Sequence, residues 1–261
     1  MTKSSAEFFE MWYKYVIGVS YVFLAIFCNG FGQVIIEKHW RAHTNRNGLF
    51  DVGFEILPRL PDSTIADYTN VVSIILGLVT LVLFHSKRGL ILRRAVAIQG
   101  SVYFVRAIAL FVTILPNPDK TCKPSSMAGS PKEILALEAL KVALRQRITC
   151  GDVMFSGHAC IITLNTLLFN EYAGGMITNT FLRQMSVFTF WLMAITSYFI
   201  IIATRFHYTI DVFMAIFVTT TIFKLYHYLI KMNRFSFLTW YESDETTESS
   251  NVKEEEHQPL I

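Results

Sequence analysis

Charged side chains are scarce in this chain. Of its 261 residues, 16% are charged and 52% are hydrophobic, and 22 are phenylalanines. Soluble domains carry about a quarter charged residues, so this composition excludes an ordinary soluble protein. The apolar residues fall in long runs, and about 20 apolar residues suffice for a helix to cross a bilayer. The sequence therefore predicts one integral membrane domain with short tails.

Cysteines and basic clusters are few as well. The chain has four cysteines and no Cys-x-x-Cys pair, which excludes a scaffold built on disulfides and gives no sign of a zinc or redox centre. We expect neither a metal nor a cofactor. Lysines and arginines are scattered through the loops without the basic, aromatic stripe of a nucleic-acid binder, so we expect no nucleic-acid partner. Residues 1–14 are polar and contain acids, unlike a cleavable signal peptide.

Hydropathy divides the rest of the chain into six long apolar runs, and the predicted fold is an all-α integral membrane protein. The predicted spans are 15–36, 68–84, 95–115, 153–169, 181–203 and 210–230. They form a transmembrane domain over 15–231, between a cytosolic tail over 1–14 and an acidic, disordered cytosolic tail over 232–261. The excess of basic residues favours cytosolic termini only weakly. Apolar spacing over 131–147 predicts a helix along the membrane surface.

Two polar stretches stand out from the hydrophobic background. The first, Cys150-Gly-Asp-Val-Met-Phe-Ser-Gly-His158, enters the fourth predicted span. The second, Arg205-Phe-His-Tyr-Thr-Ile-Asp211, enters the sixth. Both lie where odd-numbered loops meet the membrane, so six crossings bring them to the same face. This placement predicts one site that combines the two stretches.

The residue types in these stretches suit phosphoryl transfer. His207 and Asp211 are four residues apart, which on a helix places them on one side. The carboxylate could then accept the Nδ1 proton of His207 and leave Nε2 as a nucleophile. His158 could protonate a departing alkoxide. Ser156 and Gly157 would expose backbone N–H groups at a helix N-terminus, where phosphate binds readily.

A structural interpretation of the same residues exists beside the catalytic one. A histidine near a membrane interface is often an amphipathic filler, and an ordinary helix can contain a His-x3-Asp pair. The coincidence of His158 and His207 on one face favours catalysis.

Arg106 lies about 13 Å inside the third span at 1.5 Å per residue, where an ionisable group is either functional or part of a structural ion pair. Arg205 could hold a phosphate oxygen or be a snorkelling arginine.

The two stretches resemble signatures of the sphingomyelin synthase family, within the larger lipid phosphate phosphatase superfamily. Cys150 to His158 matches the family's C-G-D-x-x-F-S-G-H, and His207 to Val212 matches H-Y-T-x-D-V. The stretch 93–118 resembles the third-span signature, and either 60–62 or 50–55 resembles the first-loop L-P-D motif. The resemblance covers nearly all of the membrane region, and kinetoplastid members are most similar around the second histidine.

The resemblance implies a six-helix bundle and a ceramide phosphotransferase. It makes His207 the nucleophile, Asp211 its orienting partner and His158 the acid that releases diacylglycerol. Five further residues are candidates for substrate binding: Arg106, Asp152, Ser156, Arg205 and Phe206. Family members move a phospho-headgroup from a glycerophospholipid to the primary hydroxyl of ceramide, on the lumenal or extracellular face of Golgi or plasma membranes. The implied partners are these membrane lipids, and a homo-oligomer is left open.

A membrane lipid phosphatase or a phospholipase C-type hydrolase is the rival interpretation. Such phosphatases share a K-x6-R-P clamp, and the most similar stretch here runs from Lys87 to Arg94, followed by Ala95 instead of proline. This stretch lies in the second loop, across the membrane from both histidines. A catalytically silent lipid-binding protein is a third interpretation, but no expected catalytic residue is missing.

Two finer points depend on single residues. Animal members of the family carry an acidic residue just before the second histidine, where this chain has Phe206. A carboxylate would pair with a choline or ethanolamine nitrogen, whereas a phenyl ring could hold a quaternary ammonium by its face. Phosphocholine is the default headgroup, with phosphoethanolamine and phosphoinositol open. Cys122 and Cys150 share the third loop, so a disulfide could close it on the oxidising side.

Overall fold

The computed structural model describes residues 3–42, 48–62, 64–119, 135–147 and 149–243, and these residues form helices and loops with no strand. Ten α-helices follow one another along the described chain. They are α1 (Lys3–Ala42), α2 (Val52–Ile56), α3 (Thr64–Ile74), α4 (Thr80–Phe84), α5 (Arg88–Val112), α6 (Leu135–Ala143), α7 (Gly157–Tyr172), α8 (Thr180–Ala203), α9 (Thr209–Met232) and α10 (Ser236–Glu242). A π-helical turn, Ile75–Val79, joins α3 to α4. The predicted all-α class is confirmed.

Five helical segments of the described chain are long and apolar enough to cross a bilayer. They are Met11–Glu37, Thr64–Phe84, Arg88–Val112, Thr180–Ala203 and Thr209–Met232. They coincide with the first, second, third, fifth and sixth predicted spans, and the chain is a multi-pass integral membrane protein. The second segment is continuous because the π turn carries the helix from α3 into α4 without a break.

The fourth predicted span takes a different form. Residues 153–155 are not helical, and α7 begins at Gly157 after its N-cap Ser156. With 16 residues, α7 is about 24 Å long at 1.5 Å per residue, somewhat shorter than a bilayer core of about 30 Å. Almost every side chain from His158 to Phe169 is buried, because α3, α5, α8 and α9 all pack against α7. The count of six crossings remains a prediction.

The central position of α7 makes it the core of the bundle. Its side chains form one continuous apolar cluster with residues of α5, α8 and α9. Phe169 stacks on Phe190 of α8 with ring centroids 3.8 Å apart. Buried aromatic pairs of this kind add to the free energy gained from burial alone. Elements that flank the two ends of α7 are therefore held at fixed distances from one another.

Helix α6 packs against α1, although the sequence predicts a helix over 131–147 along the membrane surface. The observed helix is shorter, and residues 131–134 lie outside the described ranges. The packing is close because Gly30 has no side chain: a Cβ there would lie 2.5 Å from the carbonyl oxygen of Ala139. Glu138 of α6 pairs with Lys141 and with the buried Arg147, which also approaches Glu37 of α1.

The predicted tails need correction at both ends. Helix α1 runs without a break from Lys3 through the boundary placed at residue 14, and α10 lies inside the stretch predicted to be disordered. Glu242 accepts hydrogen bonds from Arg94 and Tyr226, and Lys14 donates to Ser243. These polar contacts, made at the end of the bundle where α5 begins, hold α10 against the spans. Residues 244–261 lie outside the described ranges.

The contact between α1 and α6 yields a paired test. We expect Gly30→Ala to destabilise the protein by about 1–3 kcal/mol, because the new methyl group overlaps backbone that cannot rotate away. Gly32→Ala places its Cβ 3.6 Å from Leu110, an ordinary contact, and we expect a neutral or slightly stabilising effect from the better helix propensity of alanine. Thermal unfolding in detergent measures both. Equal midpoints for the two variants would contradict the close packing of α6 on α1.

Candidate functional site

The two polar stretches meet, as the sequence predicts. The first is a non-helical segment, 149–156, that leads into the N-terminus of α7. The second forms the turn between α8 and α9. The carbonyl of Val153 lies 3.0 Å from Nδ1 of His207. The backbone N–H of Ser156 donates to the carbonyl of Asp211 over 3.2 Å. Two backbone-mediated contacts thus fix one histidine motif against the other.

His207 is held in the orientation that a nucleophile requires. Its side chain is buried, with 1% of the residue exposed. A backbone carbonyl can only accept a hydrogen bond, so the contact with Val153 assigns the proton to Nδ1 and leaves the lone pair on Nε2. Burial lowers the pKa of His207 to about 4, although the Asp152 carboxylate opposes this shift. The imidazole is therefore neutral at physiological pH.

Asp211 does not orient His207 in the expected way. The prediction assumed that both residues lie on one helix, but α9 begins at Thr209 and Tyr208 is its N-cap. Oδ2 of Asp211 instead accepts the N–H of Tyr208 at 3.0 Å, as part of a capping box. Its Oδ1 is buried and has no hydrogen-bond partner among the described residues. The carboxylate thus shapes the turn that carries His207.

His158 has a partner that the sequence analysis missed. Nε2 of His158 lies 2.8 Å from Oδ1 of Asp67, which belongs to the first turn of α3. Asp67 also lies 3.4 Å from Arg145 in the segment after α6. The sequence did contain a signal for this contact. Asp67 stands at the start of an apolar span, on the same side of the membrane as both motifs, and an ionisable residue at such a position has a functional or structural role.

The ring of Phe206 lies between the two histidines. Its centroid is 5.2 Å from that of His158 and 5.2 Å from that of His207, with both pairs nearly perpendicular. Such edge-to-face geometry is favourable for aromatic rings. The predicted pair of histidines therefore shares one aromatic wall, and Phe206 is part of the site.

Arg106 forms a buried ion pair, which was one of the two interpretations left open. Nε donates to the carbonyl of Phe155 at 2.7 Å and one terminal nitrogen donates to Asn29 at 2.9 Å. The other terminal nitrogen binds the carboxylate of Asp152. Burial alone would raise the pKa of Asp152, but the charge and hydrogen bond of Arg106, together with the two neighbouring histidines, hold that pKa below its usual value. Both predicted substrate-binding residues thus stabilise the segment before α7.

The guanidinium of Arg205 contacts the first loop. Its φ is 57°, and one terminal nitrogen donates to the carbonyls of Phe54 and Leu57 at the end of α2. The guanidinium carbon lies 4.3 Å from the centre of the Phe54 ring. Arg205 therefore links the first loop to the turn that contains His207, and its role in phosphate binding remains a prediction.

The first loop also contacts the two residues that follow His207. Asp51 accepts the backbone N–H of Thr209 at 2.7 Å and its hydroxyl at 2.6 Å. The backbone N–H of Leu49 donates to the hydroxyl of Tyr208 at 3.1 Å. The two stretches compared with the first-loop motif differ in their contacts: Asp51 binds the first residue of α9, whereas Asp62 accepts the N–H of Thr64.

Ser156 has a local structural role. It is the N-cap of α7, and its Oγ accepts the N–H of Ala159 at 3.2 Å. This cap begins α7 at Gly157, so that His158 lies in the first turn. The predicted helix N-terminus beside His158 is therefore present.

Two loop predictions have separate outcomes. Cys150 is disulfide-bonded, while Cys28 and Cys160 are free thiols. Cys122, the predicted partner, lies outside the described residues, so the pairing remains a prediction.

The stretch from Lys87 to Arg94 is far from the histidines: Arg94 binds Glu242 and the Tyr172 hydroxyl at the opposite end of the bundle. A phosphate clamp at that stretch cannot serve His207.

Comparisons with known proteins agree with the two motifs. The PAP2 superfamily C-terminal family matches residues 149–228, which include both histidines and α7. Human sphingomyelin synthase-related protein 1 is 31% identical over 228 residues, which are 84% of this chain and 53% of that protein. A phosphatidylethanolamine:ceramide ethanolaminephosphotransferase of Trypanosoma brucei brucei is 40% identical over 119 residues, 45% of this chain and 34% of that protein.

Human phosphatidylcholine:ceramide cholinephosphotransferase 1 is 28% identical over 194 residues, 66% of this chain and 45% of that protein. The chain spans about half the length, or less, of the curated relatives that it matches. The likeness covers most of the described membrane region and contains both histidine motifs. Residues 149–228 therefore form a PAP2 superfamily C-terminal domain, and the chain is similar over most of its length to sphingomyelin synthase-related proteins and ceramide phosphotransferases.

Proposed function

We propose that the protein is a ceramide phosphotransferase, which moves a phospho-headgroup from a glycerophospholipid to the primary hydroxyl of ceramide and releases diacylglycerol. The observation that carries the proposal is the pair of histidines on one aromatic wall, one with a free Nε2 and one beside a carboxylate. Relatives named as ceramide phosphotransferases support the choice of lipid substrates.

In the first step, Nε2 of His207 attacks the phosphorus of the donor lipid. The bond from phosphorus to the diacylglycerol oxygen breaks, and His158 gives a proton to that oxygen. Asp67, 2.8 Å from His158, stabilises the protonated imidazole before the transfer. The products are diacylglycerol and a headgroup phosphate bound to His207.

In the second step, the primary hydroxyl of ceramide gives its proton to His158 and attacks the phosphorus. The bond between phosphorus and Nε2 breaks, which returns His207 to its neutral form. The low pKa of His207, about 4 because of burial, makes the neutral imidazole a competent leaving group. His158 acts as an acid in the first step and as a base in the second.

The N-terminus of α7 is the proposed seat of the transferred phosphate. Its first backbone N–H groups lie beside His158, and a helix N-terminus favours negative charge. The Arg106 guanidinium and the hydroxyl of Tyr103 flank this turn, each 3.8 Å from where a Cβ of residue 157 would lie. Arg106 and Asp152 act on the phosphate through the position of this segment.

Phosphocholine is the proposed default headgroup, with phosphoethanolamine or phosphoinositol as alternatives. Phe206 offers the face of a ring to a quaternary ammonium, and Asp67 brings a carboxylate to the same wall. Both features favour a cationic headgroup over inositol. Labelled ceramide with separate phosphatidylcholine, phosphatidylethanolamine and phosphatidylinositol donors distinguishes the three.

The proposed location is the Golgi or plasma membrane, with the histidines on the lumenal or extracellular face and both termini in the cytosol. A disulfide at Cys150 suits an oxidising compartment on the side of the site. Monomer and homo-oligomer are both compatible with the proposal.

The reaction type has a direct test. We expect diacylglycerol release from phosphatidylcholine to be slow without ceramide and to rise at least several-fold when ceramide is added. The reason is that His207 becomes free for another donor molecule only after ceramide has accepted the headgroup phosphate. Double-reciprocal plots with both substrates should be parallel, as for a ping-pong mechanism. Release that is equally fast with and without ceramide would make the protein a hydrolase.

Alanine variants of the two histidines should lose activity in different ways. We expect His207→Ala to abolish turnover and the first burst of diacylglycerol, because no nucleophile remains. His158→Ala should lower turnover by about 10²–10⁴-fold, the usual contribution of general acid–base catalysis, while retaining a slow burst. Rapid-quench measurement of labelled diacylglycerol separates the two.

His227→Gln, at the opposite end of the bundle beside Tyr172, is the matched control and should keep wild-type turnover. Substantial activity of His207→Ala would exclude His207 as the nucleophile.

A further inference from the structure

Arg145 ends α6 in a backbone conformation that favours glycine. Its φ is 55°, in the left-handed region where a side chain crowds the following carbonyl. Its N–H donates to the carbonyl of Val142, and the N–H of Gln146 donates to that of Lys141. These two bonds form a Schellman motif, in which glycine is the usual residue at the position of Arg145. An arginine at a strained position points to a use for its side chain.

The side chain of Arg145 reaches the histidine site. One terminal guanidinium nitrogen lies 3.4 Å from Oδ1 of Asp67, and Nε2 of His158 lies 2.8 Å from the same oxygen. The arginine and the histidine thus flank a single carboxylate oxygen. Arg145 therefore brings a positive charge to the group that the proposed mechanism uses as its acid.

The contact with Asp67 leaves most of the guanidinium open. The side chain of Arg145 is 72% exposed and that of Asp67 is 46% exposed, and an ion pair with this exposure contributes little to stability. Within the described part of the chain, Asp67 is the one side chain that pairs with this guanidinium. A guanidinium carries several N–H donors, so others are left for a ligand.

Two other arginines beside the histidine motifs are engaged differently. Arg106 is buried, and the carboxylate of Asp152 balances its charge. One terminal nitrogen of Arg205 donates to two carbonyls of the first loop. Of these three arginines, Arg145 is the exposed one, and its guanidinium contacts the partner of His158.

A donor phospholipid brings a negatively charged phosphodiester to this site. The Asp67 carboxylate beside His158 repels that charge, so a cation at the same place favours binding. Arginine suits phosphate because its planar fork offers two parallel N–H groups to two oxygens. Such a clamp also stabilises the charge that develops on these oxygens during transfer.

We propose that Arg145 binds the non-bridging oxygens of the phosphate in the donor lipid. One nitrogen keeps its contact with Asp67, and the remaining N–H groups donate to the phosphate that His207 attacks. This assignment deepens the proposed function and rests on it for the identity of the donor. It makes the end of α6 part of the active site, which gives this helix a role beyond its packing on α1.

Binding of a donor analogue tests the contact without turnover. A phosphonate analogue of phosphatidylcholine, in which carbon replaces the leaving oxygen, keeps the negative charge but cannot react. We expect Arg145→Gln to weaken its binding to the full chain in nanodiscs about tenfold or more, the usual loss for a hydrogen bond between charged groups. Competition with a fluorescent phosphatidylcholine measures this Kd. Ceramide is uncharged, and its Kd should keep the wild-type value.

Arg59→Gln is the matched control. Arg59 is also an exposed arginine paired with an aspartate, Asp119 at 3.2 Å. The neighbouring Leu60 donates its N–H to the carbonyl of Ala203, at the end of α8 on the side of the histidines. We expect Arg59→Gln to bind the analogue and ceramide as the wild type does.

Arg145→Gly separates binding from folding. Glycine relieves the strain at a φ of 55°, so the unfolding midpoint should rise by about 2 °C. Binding of the analogue should nevertheless weaken as it does in Arg145→Gln. An arginine with a purely structural role would give the opposite pattern, a lower midpoint with an unchanged Kd.

Equal Kd values for the analogue in wild type and Arg145→Gln would overturn the assignment. If turnover then falls although the Kd is unchanged, Arg145 only positions Asp67. Equal weakening of analogue and ceramide would show a general distortion of the site and would overturn the assignment too. All these results leave ceramide transfer itself intact, whereas a wild-type protein that does not bind the analogue would overturn the proposed function as well.

Discussion

The buried guanidinium of Arg106 is the interaction on which the site depends. Its 4% exposure means that the charge has lost nearly all of its water, a loss that good geometry and several hydrogen bonds must offset. Asn29 of α1, the carbonyl of Phe155 and the carboxylate of Asp152 supply those bonds. Removal of any one would leave a buried charge without a full set of acceptors. Arg106 therefore holds α1, α5 and the segment before α7 in one arrangement.

The geometry of the histidines follows from that arrangement. Val153 lies between the two residues that Arg106 binds, Asp152 and Phe155, so its carbonyl is held where it meets Nδ1 of His207. Two contacts then join the first loop to the turn: Asp51 of the loop binds Thr209, and Arg205 of the turn binds the carbonyl of Leu57. The reactive nitrogen is positioned mainly through backbone groups and ion pairs beside it. A neutral imidazole with its lone pair on Nε2 is the chemical result.

Sequence patterns predict the parts of the molecule that depend on composition and on local spacing. Long apolar runs identify five spans that the structure contains, and the two motifs correctly place His158 and His207 together. The helical relation of His207 to Asp211 was wrong because a spacing of four carries meaning only inside a helix, and the capping turn at Tyr208 separates them. Asp67 was missed because its contact with His158 joins residues 91 positions apart. Val153 acts through its carbonyl, which has no signature in a sequence.

The tautomer of His207 tests the central claim most directly. Protein labelled with ¹⁵N-histidine is reconstituted in lipid, and the His207→Gln variant assigns the resonances of His207. We predict a protonated Nδ1 and an unprotonated Nε2 at pH 7, with no protonation of the ring until the pH approaches 4, where burial places its pKa. A proton on Nε2 at neutral pH, or a ring that is already an imidazolium, would contradict the assignment of His207 as the nucleophile.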